Sequence, residues 1–238
     1  MASNSRHLKR HSMPVSWPIK RKNINFITRP NPGSHKRDYA VALVVILRDV
    51  LGHATTTKEA KLIAHTSEIF VNGKQVKDIK TPVGIFDIVE IKKTSEKYIV
   101  LFDELGKIKL TPSKDNLIYL KVSGKTQLPG KKLQLNFMNG FNVLVDEKVF
   151  KSTSVNDTVV YDFAKKKISS VLNLAEKAYA YIFDGNFKGK FAEITGFTHY
   201  KGVTRDTVFI KIGKEAHSTA KDYCYVVGNK AEDIKRFA

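Results

Sequence analysis

The chain is short of several things, and each shortage closes a class of function. Among its 238 residues there is one cysteine, Cys224. A single thiol forms no internal disulfide and no cysteine-based zinc site, which fits a reducing compartment. Long apolar runs are missing: the longest, Ala40 to Leu47, stops at Arg48, far below the roughly 20 residues of a membrane span. No apolar stretch follows the first basic residues, so a secretory signal is not expected and the chain reads as soluble and cytoplasmic. Acid is scarce as well. Against 41 Lys and Arg stand 23 Asp and Glu, a formal net charge of +18. A surplus of that size repels itself and is best understood when a polyanion neutralises it. Nucleic acid leads; an anionic membrane surface is weaker, because neither an anchor nor an amphipathic basic helix is present.

Catalytic signatures are missing too. There is no GxxxxGK[ST] phosphate loop, no GxGxxG opening a helix, no HExxH and no GxSxG. The seven histidines (7, 11, 35, 53, 65, 199, 217) are scattered. His7 and His11 stand at i and i+4, but in a segment rich in Arg and Lys a metal ion meets charge repulsion. Cys224 falls in the apolar run Tyr223–Val227 and reads as a small buried hydrophobe rather than a nucleophile. The expectation is therefore no catalytic residue, no metal, no cofactor, no small-molecule substrate and no membrane partner.

What is present divides along the chain. Hydrophobic residues make up 42%, enough for real cores. Residues 1–38 hold nine Lys or Arg against one acid, Asp38, together with prolines 14, 18, 30 and 32. Proline fixes φ and removes donors, so an extended arm is expected rather than a helix. Trp17-Pro18 and Phe26 look like aromatic anchors, which suggests an arm that folds against a partner rather than a solvated tail. From residue 40 the pattern turns helical, with Leu43, Ile46, Leu47, Val50 and Leu51 on one face and Gly52 at the C′ position. The β-branched Val41, Val44, Val45 and Ile46 argue for strand, but a second helix follows and favours the helical reading. That second helix starts with a capping box, Thr56 as N-cap and Glu59 at N3. Ala60, Ile63 and Ala64 form its apolar stripe, and Lys58, Lys61 and His65 share another face.

Asn72-Gly73, between Ile69–Val71 and Lys74–Val76, is a hairpin turn. Lys74 and Lys77 sit beside it. Val83-Gly84 and Asp87–Ile91 continue as strand, and this unit closes near residue 105. Short strand candidates follow at Lys107–Leu110, Ile118–Val122, Leu133–Phe137, Asn142–Val145, Thr158–Tyr161 and Ile168–Val171. The pattern persists through Tyr181–Phe183, Phe191–Ile194, Thr207–Ile212 and Tyr223–Val227. Regular short strands with polar turns read as small barrels or open sandwiches.

Two clusters have phosphate-binding chemistry. Lys58, Lys61 and His65, with Lys74 and Lys77 from the hairpin, suit an RNA backbone, where shape and phosphate contacts dominate recognition. An ordinary solvated lysine face reads the same way, and on the residues alone the two stand level. In Phe183–Phe191, Phe187 with Lys188 and Lys190 offers a ring and cations between two turn glycines, although a plain hairpin is favoured on spacing.

The run His7-Leu8-Lys9-Arg10, Trp17-Pro18-Ile19, Arg21-Lys22, Arg29-Pro30 and Pro32-Gly33 resembles the N-terminal signature of the archaeal and eukaryotic S4e family of small-subunit ribosomal proteins. Arg48-Asp49, Leu51, Ala54, Thr56 to Lys61, Val71–Lys74 and Val83-Gly84 before Asp87 resemble its S4-type RNA-binding domain. Ala178 to Ile194 resembles a KOW motif, with Ala192 where a glycine is usual, and Asp157–Val160 and Tyr225–Gly228 also fit their places. The resemblance implies an α+β, mostly β fold: a basic extended arm over residues 1–40, a helix-helix-sheet RNA-binding domain over 41–105, a central β domain over 106–173, and an SH3-like KOW barrel over 174–238. It implies a non-catalytic constituent of the small subunit, bound to small-subunit rRNA and neighbouring ribosomal proteins. The RNA-contacting set is then Arg6, Lys9, Arg10, Lys20, Arg21, Lys22 and Arg29 in the arm, Arg48, Lys58, Lys61, His65, Lys74 and Lys77 in the next domain, and Lys188 and Lys190 in the barrel loop. Of these, Lys58, Lys61 and Lys74 match positions on the family's basic face. The arm is expected to thread along rRNA, with Arg10, Arg21 and Arg29 able to bind phosphate bidentately or stack on bases. Two rivals stay open: an RNA-modifying enzyme such as a pseudouridine synthase using the same domain as guide, and a translation or transcription factor using a KOW barrel.

Overall fold

The structure is a computed structural model, and it describes residues 7–66, 69–113, 115–200, 202, 204–213, 215–229 and 231–237. Two compact units divide the chain, one formed by residues up to Phe102 with Gly106–Lys114, the other by Asp103–Leu105 with Asp115–Ala238.

In the first unit the arm is irregular but not loose. Strand β1 (Leu8–Lys9) pairs antiparallel with β2 (Phe26–Ile27), Leu8 opposite Ile27 and Lys9 opposite Phe26. Side chains alternate across a strand, so Leu8 and Ile27 turn inward while Lys9 and Phe26 face solvent. Phe26 is thus no anchor. Trp17 is: only 1% exposed, it donates its indole N–H to the Ala40 carbonyl at 3.0 Å. Ser16 adds a hydroxyl bond to the Asp38 carbonyl at 2.7 Å, and its own carbonyl accepts from the Ile108 amide at 2.7 Å.

The β-branched run splits between both expectations. β3 (Ala40–Ala42) is strand, and the chain then turns into α1 (Leu43–Val45), which continues as a wider helical turn over Ile46–Val50 and ends at Gly52, φ 71°. Helix α2 (Thr57–Thr66) is capped at Thr56, whose Oγ1 accepts from the Glu59 amide at 3.2 Å. Glu59 reaches back one residue further than a simple capping box, to the Thr55 amide at 2.8 Å and hydroxyl at 2.9 Å. Those bonds from Thr55 hold the Glu59 carboxyl below its ordinary value.

β4 (Ile69–Val71) and β5 (Lys74–Gln75) form the expected hairpin, with Asn72 at φ 52° and Gly73 at φ 71°, both left-handed as the tight turn demands. β6 (Pro82–Gly84) pairs with β3, while β7 (Ile88–Ile91), β8 (Glu96–Phe102) and β9 (Ile108–Pro112) complete a five-stranded antiparallel sheet of order β5-β4-β7-β8-β9. β8 had no counterpart among the strands expected from sequence. It pairs with β9, so β9 joins this sheet rather than the strands that follow it.

A buried polar knot ties arm, hairpin and sheet together. Asp87, 1% exposed, accepts from His35 Nε2 at 2.8 Å, the Gly84 amide at 2.8 Å and Asn72 Nδ2 at 2.7 Å. Asn72 in turn accepts from the Ile88 amide at 2.9 Å. Gly84 is obligatory here because the His35 ring occupies the place a Cβ would take. Phe86, buried at φ 60°, makes the left-handed step immediately before Asp87, a conformation costing roughly 1 kcal/mol for an L residue.

The second unit carries two sheets. β10 (Leu117–Leu128), β11 (Lys132–Phe137), β12 (Asn142–Val145), β13 (Thr158–Asp162) and β14 (Lys167–Leu172) are ordered β12-β11-β10-β13-β14, with a one-and-a-half-turn helix α3 (Glu147–Ser152) that the sequence reading did not anticipate. Their core is Ile118, Leu120, Val122, Leu135, Phe137, Val159 and Tyr161. β15 (Tyr179–Ile182), β16 (Phe191–Thr198), β17 (Thr207–Ile212), β18 (Glu215–Ala220) and β19 (Cys224–Gly228) follow in the SH3-like order β18-β17-β16-β15-β19 around Ala180, Ile182, Ile194, Val208, Ile210 and Val226. Within this unit Lys121 of β10 is 3% exposed and donates to the carbonyls of Asp222 at 2.6 Å, Cys224 at 2.8 Å and Lys221 at 3.3 Å. Thr158 Oγ1 accepts from the Val226 amide at 2.9 Å. Burial pulls the Lys121 ammonium down to about 8, the neighbouring Cys224 and Asp222 opposing it.

Two outcomes are expected. Burial, the largest influence on His35, disfavours its charged form, but the attraction and hydrogen bond from Asp87 together raise its pKa above the ordinary 6.5. A folded value above the unfolded one stabilises the fold fully below pH 6.5 and loses that contribution as pH rises through the folded value. Thermal unfolding followed by Trp17 fluorescence should therefore show a midpoint that falls across this window, and His35→Gln should abolish the step; an identical pH profile in both proteins refutes the knot. Lys121→Ala should cost about 3 kcal/mol in urea denaturation, since it opens a cavity and strips donors from three carbonyls, that of Cys224 buried. A loss below about 0.5 kcal/mol, the scale of an ordinary surface substitution, contradicts the clamp.

Candidate nucleic-acid interface

The positive charge is presented mainly by side chains whose apolar neighbours fix the backbone beneath them. On α2, Ala60 and Ala64 are buried, and the helical period leaves Lys58, Lys61 and His65 exposed on the solvent side. Lys74 and Lys77 are exposed at and beyond the Asn72-Gly73 turn of the same unit. Arg48 is oriented rather than free. Its Nη2 meets Asp49 at 2.8 Å and its Nη1 donates to the Thr57 hydroxyl at 3.1 Å, tying α1's continuation to the first turn of α2.

In the arm, Lys9, Lys20, Lys22 and Arg29 are exposed, while Arg6 lies outside the described residues. Arg21 is exposed but spends its guanidinium on the carbonyls of His11 at 3.1 Å and Met13 at 3.3 Å. Arg10 corrects the sequence reading. It is 4% exposed, with Nη1 donating to the Lys20 carbonyl at 2.6 Å, so it braces the arm from within while lining a groove, rather than projecting into solvent. The β1–β2 pairing carries its backbone inward, which a count of cations along a chain does not reveal. Nor does the described arm stand clear of the protein: the Ser16 carbonyl accepts from the Ile108 amide and His35 meets Asp87, tying it to the rest of the first unit, while Trp17 fastens it to Ala40 at the start of β3.

Two adjoining grooves open here: one of about 470 Å³ formed by the arm itself, and one of about 360 Å³ between the arm and Arg48, Thr57 and Lys80. His7, Phe26 and Arg29 line both; Lys9 and Arg37 line the first, Arg48, Thr57 and Lys80 the second. Sequence reasoning missed His7, Arg37 and Lys80 as members of one site. The alternation of Leu8-Lys9 against Phe26-Ile27 was the available signal.

In the second unit, Lys188 and Lys190 are half-buried beside the turn glycines Gly185 and Gly189. Phe187, considered as a stacking platform, instead stacks within the barrel on His217, centroids 4.5 Å apart and planes 28° inclined. Cys224 is fully buried, and burial pushes its thiol up to about 11 against the pull of Lys121, which leaves it a core side chain. Among the described residues no three His, Cys, Asp or Glu gather in a way that could hold a metal ion, and no helix is long and apolar enough to cross a membrane.

Comparison with known proteins places the chain in a family. The family model "RS4NT (NUC023) domain" matches residues 3–38, and "Ribosomal family S4e" matches residues 94–168. The small ribosomal subunit protein eS4 of Methanocaldococcus jannaschii is 35% identical over 97% of each chain. Its counterpart from Pyrobaculum islandicum is 36% identical over 96% of this chain and 98% of its own. The crystal structure of 30S ribosomal protein S4e from Thermoplasma acidophilum superposes with a TM-score of 0.68 at 28% identity, covering 81% of this chain and 97% of that one.

Proposed function

The chain belongs to the ribosomal S4e family, and from that premise we propose that it is a non-catalytic constituent of the small ribosomal subunit in the cytoplasm, where it binds rRNA and neighbouring ribosomal proteins. The observation that carries the rRNA reading for this chain is the sorting of charge in the first unit. Lys58, Lys61 and His65 leave α2 on its solvent face, Lys74 and Lys77 leave the hairpin, and the arm's grooves are lined by cations and no acid.

Lysines of this kind act as point charges that release condensed counterions from the phosphate backbone, giving affinity without sequence preference. The rigid helix and turn then give placement, because folded RNA is recognised by shape and by its phosphates and 2′-hydroxyls. We assign the contacts to Lys9, Lys20, Lys22, Arg29, Lys58, Lys61, His65, Lys74 and Lys77, with Arg21 and Arg48 holding the backbone that presents them. Lys188 and Lys190 are a separate contact of the second unit.

Charge reversal tests the assignment. The triple variant Lys58→Glu, Lys61→Glu, Lys74→Glu should bind small-subunit rRNA at least tenfold more weakly, and its log K against log salt slope should shallow by about three, at roughly 0.9 for each phosphate no longer neutralised. Filter binding across a salt series reads both. Unchanged affinity and slope would remove this face from the interface. Separately, the wild-type protein should stay with small-subunit particles through a high-salt wash; release into the wash would favour a translation factor.

A further inference from the structure

Val15, Ile24 and Phe26 are 74%, 68% and 55% exposed, all within an arm that buries Trp17 completely. Leaving a phenyl ring in water forgoes the stabilisation that burial gives it. The β1–β2 register nevertheless holds Phe26 outward, across from Lys9. The His7 imidazole stands 5.7 Å from the ring at 57°, so the two make an aromatic wall. That wall flanks both grooves, whose volumes of about 470 Å³ and 360 Å³ suit a small organic group. No acidic side chain lines either.

The buried cation beside the second groove is incompletely satisfied. Arg10 lines the second groove, and its Nε, shielded from solvent, has no hydrogen-bond partner among the described residues. A guanidinium buried with a donor unpaired costs more than an average hydrogen bond returns, and an anion nearby offsets that cost. Arg29 borders the same space from the exposed side. An aromatic face, apolar flanks and cations without acid match an unpaired nucleotide: a base with a free face to stack and a phosphate to neutralise. A base within a duplex has no free face to offer, and an acidic peptide would use the cations but leave the rings idle.

We infer that the groove between the β1–β2 ribbon and Arg29 receives an unpaired nucleotide of rRNA, its base stacked on Phe26 and its phosphate held by Arg29 in the field of Arg10. This rests on the rRNA-binding reading above and names what one part of that surface takes.

The test uses the full chain, an RNA octamer with one 2-aminopurine, and the duplex that octamer forms with its complement. Wild type should bind the single strand with a change in 2-aminopurine fluorescence. Phe26→Ala should weaken that binding about tenfold, within what stacking on one ring supplies, and remove the fluorescence change. Duplex affinity and the salt slope should stay constant, because no charge is lost, and Phe26→Tyr should restore strand binding. Equal loss on strand and duplex, or no loss on either, overturns the inference. If the triple lysine variant loses rRNA and Phe26→Ala behaves as wild type, the groove assignment fails while rRNA binding stands. If wild type binds neither octamer, duplex nor rRNA, the broader reading falls and this one with it. An oligoglutamate that displaces the octamer from wild type and loses affinity with Phe26→Ala would assign the groove to a protein partner, against the inference.

Discussion

A carboxylate taken out of water is tolerable only when donors replace the water, and the Asp87 side chain meets that demand from three separate pieces of chain. His35 comes from the arm, the Gly84 amide from the strand that pairs with β3, and Asn72 from the turn of the hairpin. Each piece is small and has little core of its own. The arm has two-residue strands, β5 has two residues and β6 three. Elements so short are marginal in isolation, so their positions depend on a centre that fails if any one of them leaves. Removing one partner of such a cluster leaves a buried charge uncompensated, at a cost of about 3–5 kcal/mol. The left-handed Phe86 and the side-chain-free Gly84 are backbone concessions to that centre: one aims Asp87 inward, the other admits the imidazole.

The second unit solves a similar problem with the opposite charge. Lys121 enters a space bounded by Phe183 and Tyr225, whose ring centroids are 5.7 and 5.8 Å from its Nζ, and places its three donors on three carbonyls. Carbonyl dipoles and aromatic faces neutralise an ammonium less completely than a carboxylate does. Burial accordingly lowers the Lys121 pKa, with Cys224 and Asp222 only partly opposing it, whereas His35, facing the Asp87 carboxylate directly, is shifted upward despite its burial. In each unit a buried ion joins pieces of chain that are far apart in sequence. In the second, Lys121 and Thr158 hold β10 and β13 to the final strand of the barrel.

Much of this was legible in one dimension, for reasons that are local. Asn72-Gly73 announces its turn because both residues accept φ > 0, and Thr56 with Glu59 announces α2 because the cap is a bond between neighbours in sequence. Asn142–Val145 and Thr207–Ile212 keep the bounds expected for them, since their flanking turns are explicit. What escaped was tertiary. The β-branched run from Val41 becomes strand where β6 is available to pair and helix where it is not, a choice made by a partner some 40 residues away. β8 mixes charged and apolar residues, Glu96-Lys97 then Tyr98–Phe102, and so lacks clean alternation. Of the site, α2 and the hairpin lysines were readable from helical and turn spacing. The arm was not, because nine cations in a row of prolines give no sign that Arg10 points in, Phe26 points out and Trp17 closes the whole onto Ala40.

That closure changes what the arm's charge is worth. A disordered basic tail pays conformational entropy when it meets a polyanion, and each residue ordered subtracts from the affinity its charges supply. Here Trp17, Ser16 and His35 order the described arm before any partner arrives, with their bonds directed to the chain's own carbonyls and to Asp87. Arg21 is spent in the same way, on His11 and Met13. Two of the arm's arginines thus serve its internal geometry, and fewer charges remain for contact than composition suggests. Those that remain project from a fixed backbone, so they add to placement as well as to attraction. A net charge of +18 then describes two populations, cations that build the surface and cations that use it. The second should dominate a salt slope.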